Sequence, residues 1–235
     1  MKLLITTLAT LFLTVLANGQ NCSGYYYLSN GAVVMTTYDK KAKESGKITY
    51  TVSDVNKSGD AISAHFTSEM IDEKGKTVSK GAGEYKCSGG NLYIDARATM
   101  PQEQMSAYKD MDVKAEDVFI EYPSSFSNGQ ALKDANIRMN VSNKGSAVSS
   151  ITLDQTNRKV EGKETITSSA GSWDCWKISY DSRFRATIGG PSGIGIPVNF
   201  KVTEWFAPGF GIVKTETYSK NGKLMASSLI TSVTK

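Results

Sequence analysis

The sequence contains few of the residue types on which catalysis and metal binding most often depend. Its 235 residues include one histidine, three cysteines and five prolines. Hydrolase triads usually need a histidine as base, and His65 lies in a predicted strand, on its polar face, with no serine or cysteine elbow to serve. Structural zinc needs cysteine and histidine ligands at short spacing, whereas these cysteines lie far apart in the sequence. We therefore expect no catalytic residues, no metal site and no cofactor.

The chain also lacks a strong excess of either charge. Its 27 basic and 23 acidic side chains leave a formal net charge of +4. Proteins that bind nucleic acid through its phosphates carry a pronounced basic surface, so we expect no nucleic-acid partner. After residue 19 no apolar run is long enough to span a bilayer, and we expect no transmembrane segment in the mature chain.

Residues 1–19 have the order of a secretory signal peptide. Lys2 supplies the basic start, residues 3–16 form an apolar run, and small residues follow. We expect cleavage before Gln20 and a mature protein in the periplasm or outside the cell. Cys22 does not directly follow a small, apolar lipobox, so we do not expect lipidation.

Export makes a disulfide between two of the three cysteines plausible. Our preferred pair is Cys22 with Cys87, since this bond would tie the start of the mature chain to the end of a predicted strand; a pair of Cys87 with Cys175 is the alternative. An odd count leaves one thiol over. As a nucleophile, Cys175 would need a neighbour that stabilises the thiolate, and Lys177 shares its predicted face. A buried, inert cysteine between two tryptophans is the default interpretation.

Two further motifs are weak indications of a site. Residues 189–195 are rich in glycine, but they lack the Lys-Ser/Thr ending and the spacing of phosphate-binding loops. A flexible hairpin loop is the simpler interpretation. The acidic residues within 110–117 do not follow the EF-hand pattern, so we interpret them as a solvated surface.

Most of the chain after residue 33 alternates between apolar and polar residues, the period of half-buried strands. Ile48, Tyr50 and Val52 are one example, and Ile137, Met139 and Val141 are another. Glycine-rich and asparagine-rich turns separate the runs, which predicts about a dozen strands in one β-rich domain, residues 20–235. So many antiparallel strands must close or curl to protect their edges. We expect a mainly β fold: a curved antiparallel sheet, as an open or half barrel, with one or two short helices.

One segment departs from the β pattern. Pro101 suits a first helical position, and Met105, Tyr108 and Met111 recur at three-residue spacing, which predicts a short amphipathic helix. Methionines can line an adaptable apolar pocket. Ordinary packing of a helix on a sheet also explains them and is the default.

The stretch 205–235 ends in a predicted hairpin, because Asn221-Gly222 suits a tight turn. The loop before this hairpin carries a cluster of aromatic residues. With two further tryptophans they present more apolar surface than a single sheet can bury unless it wraps around itself or around something else. The residues concerned are Trp173, Trp176, Trp205, Phe206 and Phe210.

Several segments follow one another in a specific order, although each alone is weak. They are Cys22, residues 38–40 (YDK), residues 121–124 (EYPS), Gly129, residues 132–134 (LKD), residues 170–178 (AGSWDCWKI) and residues 204–216 (EWFAPGFGIVKTE). Together they resemble exported proteins of the TapB type, a broad family of β-rich envelope proteins with a domain of unknown function in Gram-negative bacteria. The resemblance covers nearly the whole mature chain. It implies a signal peptide and a curved sheet similar to the half barrels of lipoprotein carriers, and it supplies no catalytic residues.

Our first hypothesis is an exported, non-enzymatic protein whose curved sheet holds lipid or another apolar ligand, or an apolar segment of an envelope protein. The alternative is a structural or adhesion-type interaction module without an internal ligand. An enzyme that acts on envelope material through Cys175 or an acidic pair is a third and weaker hypothesis. For the first hypothesis, the candidate ligand-binding residues are Met105, Tyr108, Met111, Trp205, Phe206 and Phe210.

Overall fold

The computed structural model describes residues 22–100, 111–116, 118–187 and 193–234. Within these ranges the chain forms thirteen strands and two short 3-10 helical turns, Tyr26–Leu28 and Ala96–Ala98. The strands are β1 (Gly31–Asp39), β2 (Glu44–Ser58), β3 (Ala61–Asp72), β4 (Thr77–Ser88), β5 (Asn91–Asp95), β6 (Asp112–Glu116), β7 (Phe119–Tyr122), β8 (Ala135–Asn143), β9 (Ser146–Ser168), β10 (Gly171–Ala186), β11 (Val198–Ala207), β12 (Gly211–Ser219) and β13 (Leu224–Thr234).

Strand β8 shows why these residues form strands. Ala135, Ile137, Met139 and Val141 are buried, whereas the three residues between them are exposed. Successive side chains of a strand point to opposite faces, so apolar residues at every second position create one face that packs against the core. The alternation predicted for Ile137, Met139 and Val141 is therefore confirmed.

The strands of the described residues form one antiparallel sheet. Its order is β6-β8-β9-β10-β11-β12-β13-β1-β2-β3-β4-β5-β7, and β1 pairs with β13 along most of its length. Side chains of β1 to β5 and of β9 to β13 line one common cavity, so the sheet curls around a single interior. The mainly β class and the curved antiparallel sheet predicted from the sequence are confirmed.

The segment between β7 and β8 connects one edge of the sheet to β9. The backbone N–H of Leu132 donates to the carbonyl oxygen of Arg158 at 2.8 Å. The guanidinium of Arg158 donates through Nη1 to the carbonyl oxygens of Glu121 in β7, at 3.0 Å, and of Lys133, at 2.7 Å. Because Arg158 is only 1% exposed, it joins β7 to β9 from inside the core.

The curled sheet has two ends. The open end is formed by the hairpin turns at residues 40–43, 73–76 and 220–223, and the closed end by residues 59–60 and 207–210. The N-terminal residues cover the closed end. Tyr26 lies in the first 3-10 turn, and its N–H donates to the carbonyl oxygen of Phe210 at 3.1 Å.

Glycine is required where the N-terminal turn meets the start of β12. Gly211 has φ +130, and a Cβ there would lie 2.5 Å from the ring of Tyr27 and 2.7 Å from that of Tyr26. Any larger residue would push the tyrosines away from the closed end and would also be strained at this φ.

Cys22 forms a disulfide with Cys87, and Cys175 is a free, buried thiol. The predicted pairing is confirmed. The bond fastens the N-terminal residues to Cys87, the second-last residue of β4, next to the closed end. The alternative pair, Cys87 with Cys175, is wrong because these two residues lie on distant strands of the sheet.

The predicted signal peptide and most of the predicted helix at residues 101–111 lie outside the described residues. Met111 is described, and its partly buried side chain packs against the core. The structure adds β6 and β7 at residues 112–122, a stretch to which the sequence assigned no element. In the part of the chain that the structure covers, no helix combines the length and the apolar character that crossing a membrane requires.

Candidate functional site

The curled sheet encloses a cavity of about 410 Å³. At the open end the cavity is lined by Tyr38 and Asp39 of β1, Thr217 of β12 and Met225 of β13, which lie side by side on three adjacent strands and form its mouth. Met225 is 44% exposed, so an apolar side chain stands at the entrance. The volume falls in the usual range of small-molecule pockets, about 300–1,000 Å³.

The middle of the cavity is apolar. Its wall includes Met35, Met70, Met100, Phe200 and Val202. Unbranched methionine side chains adapt their shape to what they contact. This wall therefore fits a flexible apolar molecule better than a rigid polar one.

Three tyrosines lie at the deep end of the cavity. Tyr27 packs against Tyr85, with ring centroids 4.6 Å apart. The hydroxyl of Tyr27 accepts a hydrogen bond from the N–H of Ile212 at 3.2 Å, and that of Tyr26 donates to the carbonyl oxygen of the same residue at 3.1 Å. The hydroxyl of Tyr85 is buried without a hydrogen-bond partner.

Polar side chains of three adjacent strands form one side of this deep end. Gln155 of β9 lies opposite Ser182 of β10, and Glu204 of β11 lies opposite Ile178 of β10. Tyr180 of β10 lies between these pairs and donates to Oε2 of Glu204 at 3.3 Å. Oε1 of Gln155 and Oε1 of Glu204 are buried without partners, which is costly for polar atoms in a protein interior.

Two charged residues lie within this core, Arg158 and Glu204. Both are about 1% exposed. Burial raises the pKa of the Glu204 carboxyl above its usual value, and the positive charge of Arg158 and the hydroxyls of Tyr122 and Tyr180 partly oppose that shift. The guanidinium of Arg158 also lies over the ring of Tyr122, 5.0 Å from its centroid. The deep end of the cavity is therefore polar and electrostatically coupled, in contrast to the methionine-lined wall at its middle.

The described residues that the sequence analysis put forward as ligand contacts do not line this cavity. Trp205 is on the opposite face of β11 from Glu204, where Lys214 covers its ring at 4.2 Å and its Nε1 donates to Glu164 at 2.8 Å. Successive side chains of a strand point to opposite faces, so Glu204 and Trp205 of β11 cannot both face the cavity.

Phe206 and Phe210 lie at the closed end, below the cavity. Phe206 is fully buried and stacks on Tyr122 at 4.7 Å, and Phe210 packs between Tyr26 and Trp173. Both fill the core instead of facing the cavity. Met111 does not line it either, and Met105 and Tyr108 lie outside the described residues.

The sequence analysis missed the polar residues Gln155 and Glu204. It also missed the tyrosines at the deep end of the cavity, residues 26, 27 and 85. Three consecutive tyrosines, residues 25–27, begin three positions after Cys22, and such a run beside a disulfide was a usable signal of a packed terminus. No local pattern marks Gln155 or Glu204, because each occupies an ordinary inward position of its strand.

A second hollow, of about 370 Å³, lies beside Arg138, Asn140 and Arg185. Arg138 and Asn140 are exposed, so it has no enclosed apolar wall. Among the residues that the structure describes, no group of three histidine, cysteine, aspartate or glutamate side chains is placed to hold a metal ion.

Cys175 is expected to be chemically inert in the folded protein. Burial raises the pKa of its thiol to about 12, so the reactive thiolate is almost absent at pH 8. We predict no labelling by a thiol reagent at pH 8 within the time that labels it fully in urea. Labelling of the native protein at the unfolded rate would show that the thiol is accessible.

Comparison with known proteins places the chain in a fold and a family. A structure from Bacteroides fragilis NCTC 9343, described as an exported protein with a YmcC-like fold, superposes with a TM-score of 0.72 at 20% identity, over 91% of this chain and 100% of the other. A structure from Parabacteroides distasonis ATCC 8503, described as a lipoprotein, gives 0.73 at 21% identity, over 90% and 99%. These similarities establish a shared fold. No curated protein sequence matches the chain. Residues 30–230 match the DUF3108-like family, and the chain belongs to that family.

Proposed function

We propose that this protein binds an apolar or amphiphilic molecule in the cavity of its curled sheet. The observation that carries the proposal is the cavity of about 410 Å³ itself, with its methionine-rich wall and a mouth at one end. A sheet that served only as a scaffold would gain stability by filling this space, because unfilled core volume costs stability.

We further propose that the protein is exported and acts without catalysis, in the periplasm or outside the cell. The proposal draws on the signal-peptide pattern of residues 1–19 and on the two similar structures, which are described as an exported protein and a lipoprotein. Membership of the TapB type stays part of this proposal.

Filling the cavity should abolish binding. Val202 is half-buried on the cavity wall, and its neighbour Lys201 is exposed. We expect Val202→Trp to reduce binding of a fluorescent apolar dye at least tenfold, because the indole occupies the space that the ligand needs. Lys201→Trp is the matched control, with the same side chain on the same strand but outside the sheet, and it should bind as the wild type does.

Native mass spectrometry of protein purified from its source organism gives a second measurement. We expect a lipid adduct on the wild type and on Lys201→Trp, and none on Val202→Trp. Equal dye binding by the two tryptophan variants would contradict the proposal, as would a wild type that takes up neither dye nor lipid.

A protein-interaction module is the second candidate function. It is favoured by Ile194 and Ile196, which precede β11 and are 87% and 84% exposed. Large apolar side chains at such exposure often mark an interaction site. A wild type that binds no dye and carries no lipid would favour this candidate.

A further inference from the structure

Three buried polar atoms without hydrogen-bond partners belong to residues that line the cavity. They are the hydroxyl of Tyr85, Oε1 of Gln155 and Oε1 of Glu204. Their residues are 0%, 3% and 1% exposed. Leaving such an atom unpaired is unfavourable, so three of them beside one cavity indicate a site for a polar group.

The chemistry of these atoms selects the kind of polar group. Oε1 of Gln155 is an acceptor, and the carboxyl of Glu204 accepts when ionised. A ligand that pairs with these two acceptors must donate hydrogen bonds, as a hydroxyl does. A carboxylate head would bring acceptors against these two acceptors and a negative charge close to Glu204. The unpaired N–H groups of Arg158, at Nε and Nη2, lie near Glu204, but Arg158 does not line the cavity.

The cavity also fixes the direction of entry. Phe200 and Glu204 both line the cavity, and they lie four residues apart on β11, or about 13 Å at 3.3 Å per residue. The polar atoms are at the deep end and Met225 is at the mouth. Hydroxyl groups also line the outer part of the cavity, but there Ser45 pairs with Thr37 and Thr215 pairs with Ser228. A polar head therefore meets the buried atoms that lack partners when it goes in first, with the apolar tail towards the mouth.

We propose that the cavity binds a single-chain amphiphile head first, with an uncharged, hydroxyl-bearing head group against Tyr85, Gln155 and Glu204. This inference rests on the proposed function and specifies its ligand class. Monoacylglycerols have this chemistry: one acyl chain, no charge, and two hydroxyls that donate hydrogen bonds.

The test compares three compounds with the same acyl chain: monolaurin, methyl laurate and laurate. Each displaces a bound apolar dye from the mature protein at pH 8, below the concentration at which it forms micelles. Two hydrogen bonds of about 0.5–1.5 kcal/mol each predict that monolaurin binds at least about fivefold more tightly than methyl laurate, which has acceptors but no donor. Laurate should bind more weakly than monolaurin by a similar or larger factor.

Two substitutions test the contacts. Gln155→Met removes the amide at similar volume, and Tyr85→Phe removes a single oxygen. Each should lower the preference for monolaurin over methyl laurate about threefold to tenfold while leaving methyl laurate affinity within twofold. Ser68→Ala is the matched control, because Oγ of Ser68 is also buried and unpartnered but Ser68 does not line the cavity; it should leave the preference unchanged.

The outcomes separate this inference from the proposed function. If the three compounds bind equally, or if laurate binds most tightly, the head-first assignment is overturned while apolar binding stands. If the preference exists but neither substitution changes it, the head lies elsewhere and the assignment is again overturned. If neither dye nor any laurate compound binds, the proposed function itself fails. Should Gln155→Met not fold, Tyr85→Phe alone decides, since it deletes one atom without leaving a new unpaired group.

Discussion

Replacing Arg158 by alanine is expected to lower the free energy of unfolding by about 3–5 kcal/mol, the range for removing one partner of a buried charged pair. Arg158 is 1% exposed and donates to two backbone carbonyl oxygens, those of Glu121 and Lys133. Without it, both acceptors lose their partner, Glu204 loses the nearby positive charge, and the join between β7 and β9 loosens. Urea unfolding followed by tryptophan fluorescence measures the effect.

Arg183→Ala is the matched control, because Arg183 is exposed on β10 and its loss should change stability by less than about 0.5 kcal/mol. A second comparison isolates the electrostatic part. Arg158→Met combined with Glu204→Leu should be more stable than Arg158→Met alone, since the double variant leaves no unpaired buried carboxyl. An Arg158→Ala protein as stable as the wild type would show that this residue does not hold the sheet together.

Removing the disulfide should have an effect of similar size. The bond joins residues 65 positions apart, and the chain-entropy model assigns about 4 kcal/mol to a loop of that length. We expect Cys22→Ala with Cys87→Ala to lose about 2–5 kcal/mol, most of it through greater freedom of the unfolded chain. The closed end should also become accessible to solvent, because the bond fastens the tyrosines of residues 25–27, which cover it, to β4.

A reductant supplies the control for this second prediction. Reducing the wild type should lower its stability to that of the double variant, and the same treatment should leave the double variant unchanged, because the remaining thiol of Cys175 is buried and unpaired. A loss below 1 kcal/mol in the double variant would mean that the tyrosine packing alone holds the N-terminal segment in place.

The polar deep end of the cavity lowers the stability of the ligand-free protein. Tyr85, Gln155 and Glu204 each keep a buried polar atom without a partner, although apolar residues of the same size would pack the space with less penalty. Local departures of this kind from good packing concentrate at functional sites. The same residues thus connect the stability of the protein to the ligand class proposed for it.

Much of the architecture was readable from the sequence because it depends on local rules. Alternation at Ile137, Met139 and Val141 predicted a strand with one buried face, and the Asn221-Gly222 pair predicted the last hairpin, where Gly222 has φ +76. The disulfide also followed from placing Cys22 near the start of the expected mature chain and Cys87 at a strand end. The strand and the hairpin depend only on neighbours within a few residues, and the curl follows from the number of strands. The disulfide joins residues 65 positions apart, and its prediction was a choice among three cysteines.

Which side chains share the interior was decided by tertiary structure alone. Trp205 was expected to contact the ligand, but it lies on the face of β11 opposite to the cavity-lining Glu204, where it is buried under Lys214. Arg158 meets Glu121 only after the sheet has curled and the segment before β8 has crossed to β9. Periodicity along a strand fixes that alternate residues share a face, but the curvature of the sheet and contacts between distant strands determine which face becomes the core and which residues meet there.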